Sequence, residues 1–160
     1  MLVVPGGGPF ADGVREVDRR IGLSDSAAHW MAVLAMDQYA HLLASRLAHG
    51  VLVESVAGIR QALASDRLPV LAPSPWLRAV DPLPHSWDVT SDSIAAWIAG
   101  ALGASQLVLV KPPGAVRTRL VDAYFERAAA ADVESRIVAA DQFDAADLIA
   151  AIMRFRATVR

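Results

Sequence analysis

The triplet Gly6-Gly7-Gly8 follows a short apolar run, Leu2 to Val4, and a proline, and it precedes a stretch of helical spacing. Glycine gives up more conformational freedom on folding than any other residue, so three in succession mark a backbone that turns sharply or that something approaches closely. The amides of a glycine loop running into a helix converge on an anion, and the partial positive charge of the helix N-terminus adds to the attraction. A phosphate or carboxylate is the natural guest; a tight strand-to-helix turn without a ligand is the plain alternative. Two further groups suit the same chemistry. Thr90, Ser91, Asp92 and Ser93 stand where a helix begins, as caps or as the border of a binding site. Lys111, the one lysine of the chain, ends the apolar run "QLVLV", where it either faces phosphate oxygens or is a solvated strand end.

Two familiar phosphate loops fit poorly. No Gly-Lys-Ser/Thr follows the glycines, which excludes a Walker A loop. Gly6, Gly8 and Ala11 satisfy G-x-G-x-x-A, but the ribose-holding acid of a dinucleotide fold belongs about 20 residues on. Here Glu54, after the next predicted strand, lies roughly twice that far away. His29, His41 and His49 share one predicted helix at separations of 12 and 8, not the i, i+3 or i, i+4 pairs of a metal site, so no metal centre is expected. Asp25 and His29 can share a face near the glycine loop, making His29 a candidate for substrate binding; His85 is a weaker one. Trp30, Trp76, Trp87 and Trp97 read as core or interface, because no basic groove accompanies them.

These groups need a scaffold. Leu2–Val4 reads as a buried strand, and Phe10, Val14 and Val17 give a helix face from Pro9 to about Arg20. Ser24 or Asp25 caps a long apolar helix over 25–49 that Gly50 ends. A strand at Val51–Val53, a helix at Ser55–Ala64 and a strand at Pro69–Leu71 follow, and then "APSPWLRAVDPLPHSWDVT", whose prolines predict loop. A helix over Ser91–Leu102 closes at Gly103, the strand 106–110 leads to Lys111, and a helix from about Arg117 to Ala130, a strand around Arg136–Val138 and a helix from about Ala145 to Arg154 complete the order. Short apolar strands separated by helices predict an α/β fold: three layers around a mainly parallel sheet covered on both faces. Ligands of such sheets bind beyond the carboxyl ends of the strands, which puts the glycines and Lys111 on one edge.

At 160 residues, with 54% hydrophobic and 20% charged residues, the chain is of single-domain size with more apolar content than one covered face requires. Some of that excess suits a homo- or hetero-oligomer interface on the helix 25–49. A formal net charge of -2 and a pI near 6.0 give no electrostatic footprint for nucleic acid or an anionic membrane. The absence of cysteine and of a signal-like or membrane-spanning stretch leads us to expect a cytoplasmic protein acting on a small molecule.

"VVPGGGPFAD" together with "DVTSDSIAAWIAGALGASQLVLV" resembles the amino acid kinase family, whose members phosphorylate carboxylates, carbamate or phosphates with ATP. "PHSWDVTSDSIAAW" with "AHWMAVLAMDQY" is most similar to the aminomethylfuran phosphate kinase-like branch, which serves methanofuran- or tetrahydromethanopterin-linked one-carbon cofactor synthesis. The resemblance implies a single domain over 1–160 of three-layer architecture, using ATP and Mg²⁺. It also implies that Gly6, Gly7 and Gly8 form the acceptor loop, that Thr90 and Ser91 border the acceptor, and that Asp92 organises the catalytic lysines. Lys111 follows the strand where relatives begin the nucleotide loop, so it would be the second catalytic residue. The sequence departs from the family in holding no K-x-G-G-S and no lysine after a G-G-M; "GAVRTR", at 114–119, offers arginines instead. It therefore corresponds to the family domain without its first strand and helix. Two functions remain open on these residues: a small-molecule kinase, or a non-catalytic homologue acting as a ligand-binding or accessory subunit.

Overall fold

The computed structural model describes residues 1–112 and 120–140. Ten elements follow in chain order: α1 (Gly8–Ile21), α2 (Asp25–Arg46), β1 (Gly50–Val53), α3 (Val56–Ala64), β2 (Leu68–Leu71), α4 (Ser74–Val80), α5 (Ser91–Ala101), β3 (Gln106–Lys111), α6 (Phe125–Ala128) and β4 (Glu134–Ala139). Their local causes are those the sequence suggests. Ser24 and Ser55 cap α2 and α3 by accepting from Ala27 N and Gly58 N. Gly103, at φ +61°, turns the chain out of α5 in a conformation that disfavours side chains.

The strands form two parallel pairs. Gly50–Val53 of β1 runs in register with Leu68–Leu71 of β2, and Gln106–Lys111 of β3 with Glu134–Ala139 of β4. The expected first strand is a single parallel bridge, Val3 to Val70, in which Val3 N donates to Pro69 O at 3.0 Å and Leu71 N to Val3 O at 2.9 Å. Two prolines limit it. Extending the ladder one step in either direction would require an N–H from Pro5 or from Pro69, and proline has none. The single covered sheet of the sequence reading is thus described as two parallel pairs, with Val4 packed against the apolar clusters of both.

The main core lies between α2, α5 and the first pair of strands: Val33, Met36, Leu71, Leu77 and Ile98 are at most 2% exposed. Trp76 and Trp97 pack on it, as expected for core tryptophans. Three further expectations are corrected. The proline-rich passage contains a helix, α4, because Pro75 sits in its first turn, where a missing N–H breaks no helical bond. The long helix ends at Arg46, and Gly50 opens β1; a side chain at Gly50 would lie 2.8 Å from Ala44 O, so glycine serves close passage beside α2. In the expected helix 117–130, only Phe125–Ala128 is helical among the described residues, and residues 120–124 are non-helical, with the Asp122 carboxylate drawn to the start of α5. "GAVRTR" and the expected helix 145–154 lie outside the described residues. No described helix is long and apolar enough to cross a membrane.

Leu71 is fully enclosed, so Leu71→Ala is expected to lower stability by about 2–5 kcal/mol in urea unfolding, whereas Leu63→Ala, at a site 45% exposed, should stay within roughly 0.5 kcal/mol of the parent. Equal losses at the two sites would contradict the core described.

Candidate functional site

The carboxyl end of β3 and the first turn of α5 meet through charge. Lys111 Nζ donates to both oxygens of Asp92, at 2.7 and 2.6 Å, and the two side chains are only 20% and 13% exposed. A pair withdrawn this far from water feels more of its Coulomb attraction than a surface pair, and the two-pronged contact fixes the ammonium in place. Lys111 is therefore not a solvated strand end.

Beside Asp92, the glycine loop passes close to α5. A side chain at Gly6 would lie 3.3 Å from Ser91 Oγ. Gly7 is buried and leaves no room either, since its added carbon would fall 2.4 Å from that of Ala11. Gly8 has φ +50° and faces the Tyr39 ring, so it shapes the turn into α1 and does not line the cavity. Among the described residues, nothing accepts from the amides of Gly6, Gly7 and Gly8, which leaves donors beside Ser91 and at the N-terminus of α1.

A cavity of about 40 Å³ lies between this loop, α2 and α5, lined among others by Gly7, Arg15, His29, Trp87, Thr90 and Ser91. A second cavity, of about 350 Å³, shares Arg15, Trp87 and Thr90 with it and adds Asp18 and Arg19. His29 is 7% exposed, and it makes no hydrogen bond to a described residue. Among the described residues no sealed side-chain nitrogen is left without a partner, so the His29 ring nitrogens keep access to open space. Burial, reinforced by repulsion from the neighbouring His85 and only partly offset by Asp81, lowers its pKa to about 4. A neutral imidazole thus borders the cavity at neutral pH. His85 stacks on it at 4.4 Å between ring centres and is held by Ser26 and Asp81. Asp25 stays in solvent, as do His41 and His49.

Three participants were not legible in the sequence. Arg15 of α1 stands over the Trp87 ring at 5.3 Å, and the Trp87 indole N–H donates to Asp18 at 2.7 Å, so Trp87 is a wall of the cavities as well as an apolar packing residue. The backbone N–H of Leu23 and the Trp87 indole together hold the Asp18 carboxyl below its usual range. The third is Asp122. Thr90 begins α5 but its side chain does not cap it; the capping carboxylate is that of Asp122, which accepts from the N–H and hydroxyl of both Thr90 and Ser93. Burial alone would raise the Asp122 pKa, but these four hydrogen bonds outweigh it and hold the group below its ordinary value. Only the spacing of Arg15 one helical turn after Ala11 could have signalled the first; Asp122 is too distant in sequence to be found by pattern.

Gly6, Gly7, Thr90, Ser91, Asp92, His29 and Lys111 thus gather around one corner of the fold, with Gly8 just behind it. Among the described residues no three acidic, histidine or cysteine side chains group as metal ligands. The family model described as "Amino acid kinase family" matches residues 1–119. A curated protein of Methanocaldococcus jannaschii, "[5-(aminomethyl)furan-3-yl]methyl phosphate kinase", is 28% identical over 109 residues, which are 68% of this chain and 50% of that protein. The chain spans about half the length of this relative.

Because His29 is neutral when folded and protonated more readily when unfolded, stability is expected to fall as pH drops from 6.5 toward about 4. In His29→Gln that part of the slope should vanish when unfolding midpoints are compared across the same range. An unchanged slope would show that His29 is not held neutral.

Proposed function

Because the chain belongs to the amino acid kinase family, we propose that it transfers the terminal phosphoryl group of ATP to a small anionic acceptor in the methanofuran precursor pathway. The observation that carries this reading is the clamp of Lys111 on Asp92 beside the glycine loop and Ser91. Phosphoryl transfer spreads negative charge over three equatorial oxygens, and its chief requirement is a set of fixed donors around them. The Lys111 ammonium and the free amides of the glycine loop are such donors, and Asp92 keeps the ammonium from wandering. The M. jannaschii relative, named as a kinase of a furanylmethyl phosphate, supports an acceptor that is itself a phosphate monoester.

The residues present suit the phosphate end of a nucleotide. Lys111 and the glycine amides would face phosphate oxygens, and Asp92 would be the carboxylate that holds Mg²⁺. A metal of this kind is often held by one or two carboxylates plus the phosphates themselves. Bound Mg²⁺ neutralises phosphate charge. An ionised acceptor oxygen forms its bond to phosphorus as the bond to the ADP oxygen breaks; no proton has to be removed, so no general base is needed. His29, uncharged, would contact the acceptor, and Arg15 supplies positive charge at the cavity wall.

Transfer is checked by ³¹P NMR with MgATP and [5-(aminomethyl)furan-3-yl]methyl phosphate or a simpler aryl-methyl phosphate. ADP and a diphosphate product are expected together, with kcat lowered about 10²–10³-fold in Lys111→Ala and Asp92→Asn. Arg15→Ala should raise the acceptor KM while kcat changes less. Absence of ADP formation, with ATP unbound at millimolar concentration, would refute the kinase and leave a binding or accessory homologue.

A further inference from the structure

We infer that Asp122 is a positioning residue for the site: by taking over the capping of α5 it leaves Asp92 free to grip Lys111. The relevance of that grip rests on the phosphotransferase reading. A helix starts with amides that have no intrahelical partner, and an aspartate in its first turn ordinarily turns back toward them. Asp92 is the only acid of that first turn, yet both of its oxygens face Lys111 Nζ. The reason lies elsewhere in the chain. One oxygen of Asp122 accepts from Thr90 N at 2.8 Å, Thr90 Oγ1 at 2.8 Å and Ser93 N at 3.0 Å. The other accepts from the Ser93 hydroxyl and from Tyr124 N, the latter at 3.2 Å. Asp92 lies between Thr90 and Ser93, so the residues on either side of it are pinned by one carboxylate.

The supply of donors matters as much as their number. With Asp122 in place, the Thr90 and Ser93 amides and both hydroxyls are met by a negative charge at the positive end of the helix, where it is stabilised. Those donors are already taken on either side of Asp92, and its charge is available to the ammonium. The segment bearing Asp122 is itself fixed, since Tyr124 N donates to Asp88 O at 3.1 Å, just before α5. Without Asp122, the amides of Thr90 and Ser93 would compete with Lys111 for the Asp92 carboxylate.

Lys111 is the only lysine, so protein grown on ¹³C,¹⁵N-lysine gives one side-chain Nζ signal, and the exchange of its ammonium protons with water measures how firmly it is held. In the whole chain without nucleotide, Asp92→Asn sets the value for a released lysine. Asp122→Asn and Asp122→Ala are expected to speed exchange on the order of tenfold toward that value, as for loss of a charged hydrogen bond. Ser24→Ala, which removes the cap of α2 and lowers stability elsewhere, should leave exchange at the parent rate. Parent-like exchange in the Asp122 variants, with a lowered melting temperature, would reduce Asp122 to a structural cap and overturn the inference. Asp122→Asn keeps the shape and one acceptor oxygen, so it carries the test where the alanine variant does not fold. No nucleotide enters the measurement, and a failure of phosphoryl transfer leaves its outcome intact.

Discussion

The ion pair of Lys111 with Asp92 ties the end of a strand to the beginning of a helix, and the arrangement of everything near it follows from that tie. A pair so largely buried adds little net stability, because much of its attraction is offset by lost hydration, while removing one partner strands the other. Its value is geometric. It fixes one positive charge beside the first turn of α5, where Ser91 lies close to Gly6. In the proposed function the ammonium, Ser91 and the glycine loop together receive an anion.

The start of α5 brings these pieces to one place. Lys111 stands at the carboxyl end of β3 and reaches Asp92, while the glycines follow the segment that bridges Val70 in the same sense as β1 and β2 and bring Gly6 beside Ser91. Pro5 and Pro69 hold that bridge to a single step by withholding N–H groups from either side. The chain is then released at Pro5 to form the loop. What would otherwise be a weak strand is thereby a device for ending pairing at the place where the backbone must open.

Elements whose cause is local were legible in the sequence. "QLVLV" could only be a strand, Ser24 and Gly103 carry their own capping chemistry, and the lone lysine at the strand end drew attention by its position. The glycine triplet and Asp92 were also visible, with the family resemblance that the matched region from 1 to 119 bears out. Where the prolines were read as loop, the helix α4 was missed, because the same residue that breaks a helix interior suits its first turn. Asp122 was missed for a different reason. A carboxylate that caps a helix 29 residues before it leaves no spacing to recognise, and Trp87 likewise meets Asp18 across 69 positions.

With Lys111 as the group proposed to meet phosphate, its own resonance is the most direct witness. Titrating lysine-labelled protein with MgATP should move the single Nζ signal saturably, with adenosine leaving it in place and Asp92→Asn weakening the response. A signal indifferent to MgATP at millimolar concentration would show that the clamp of Asp92 and Lys111 is not a phosphate-handling site.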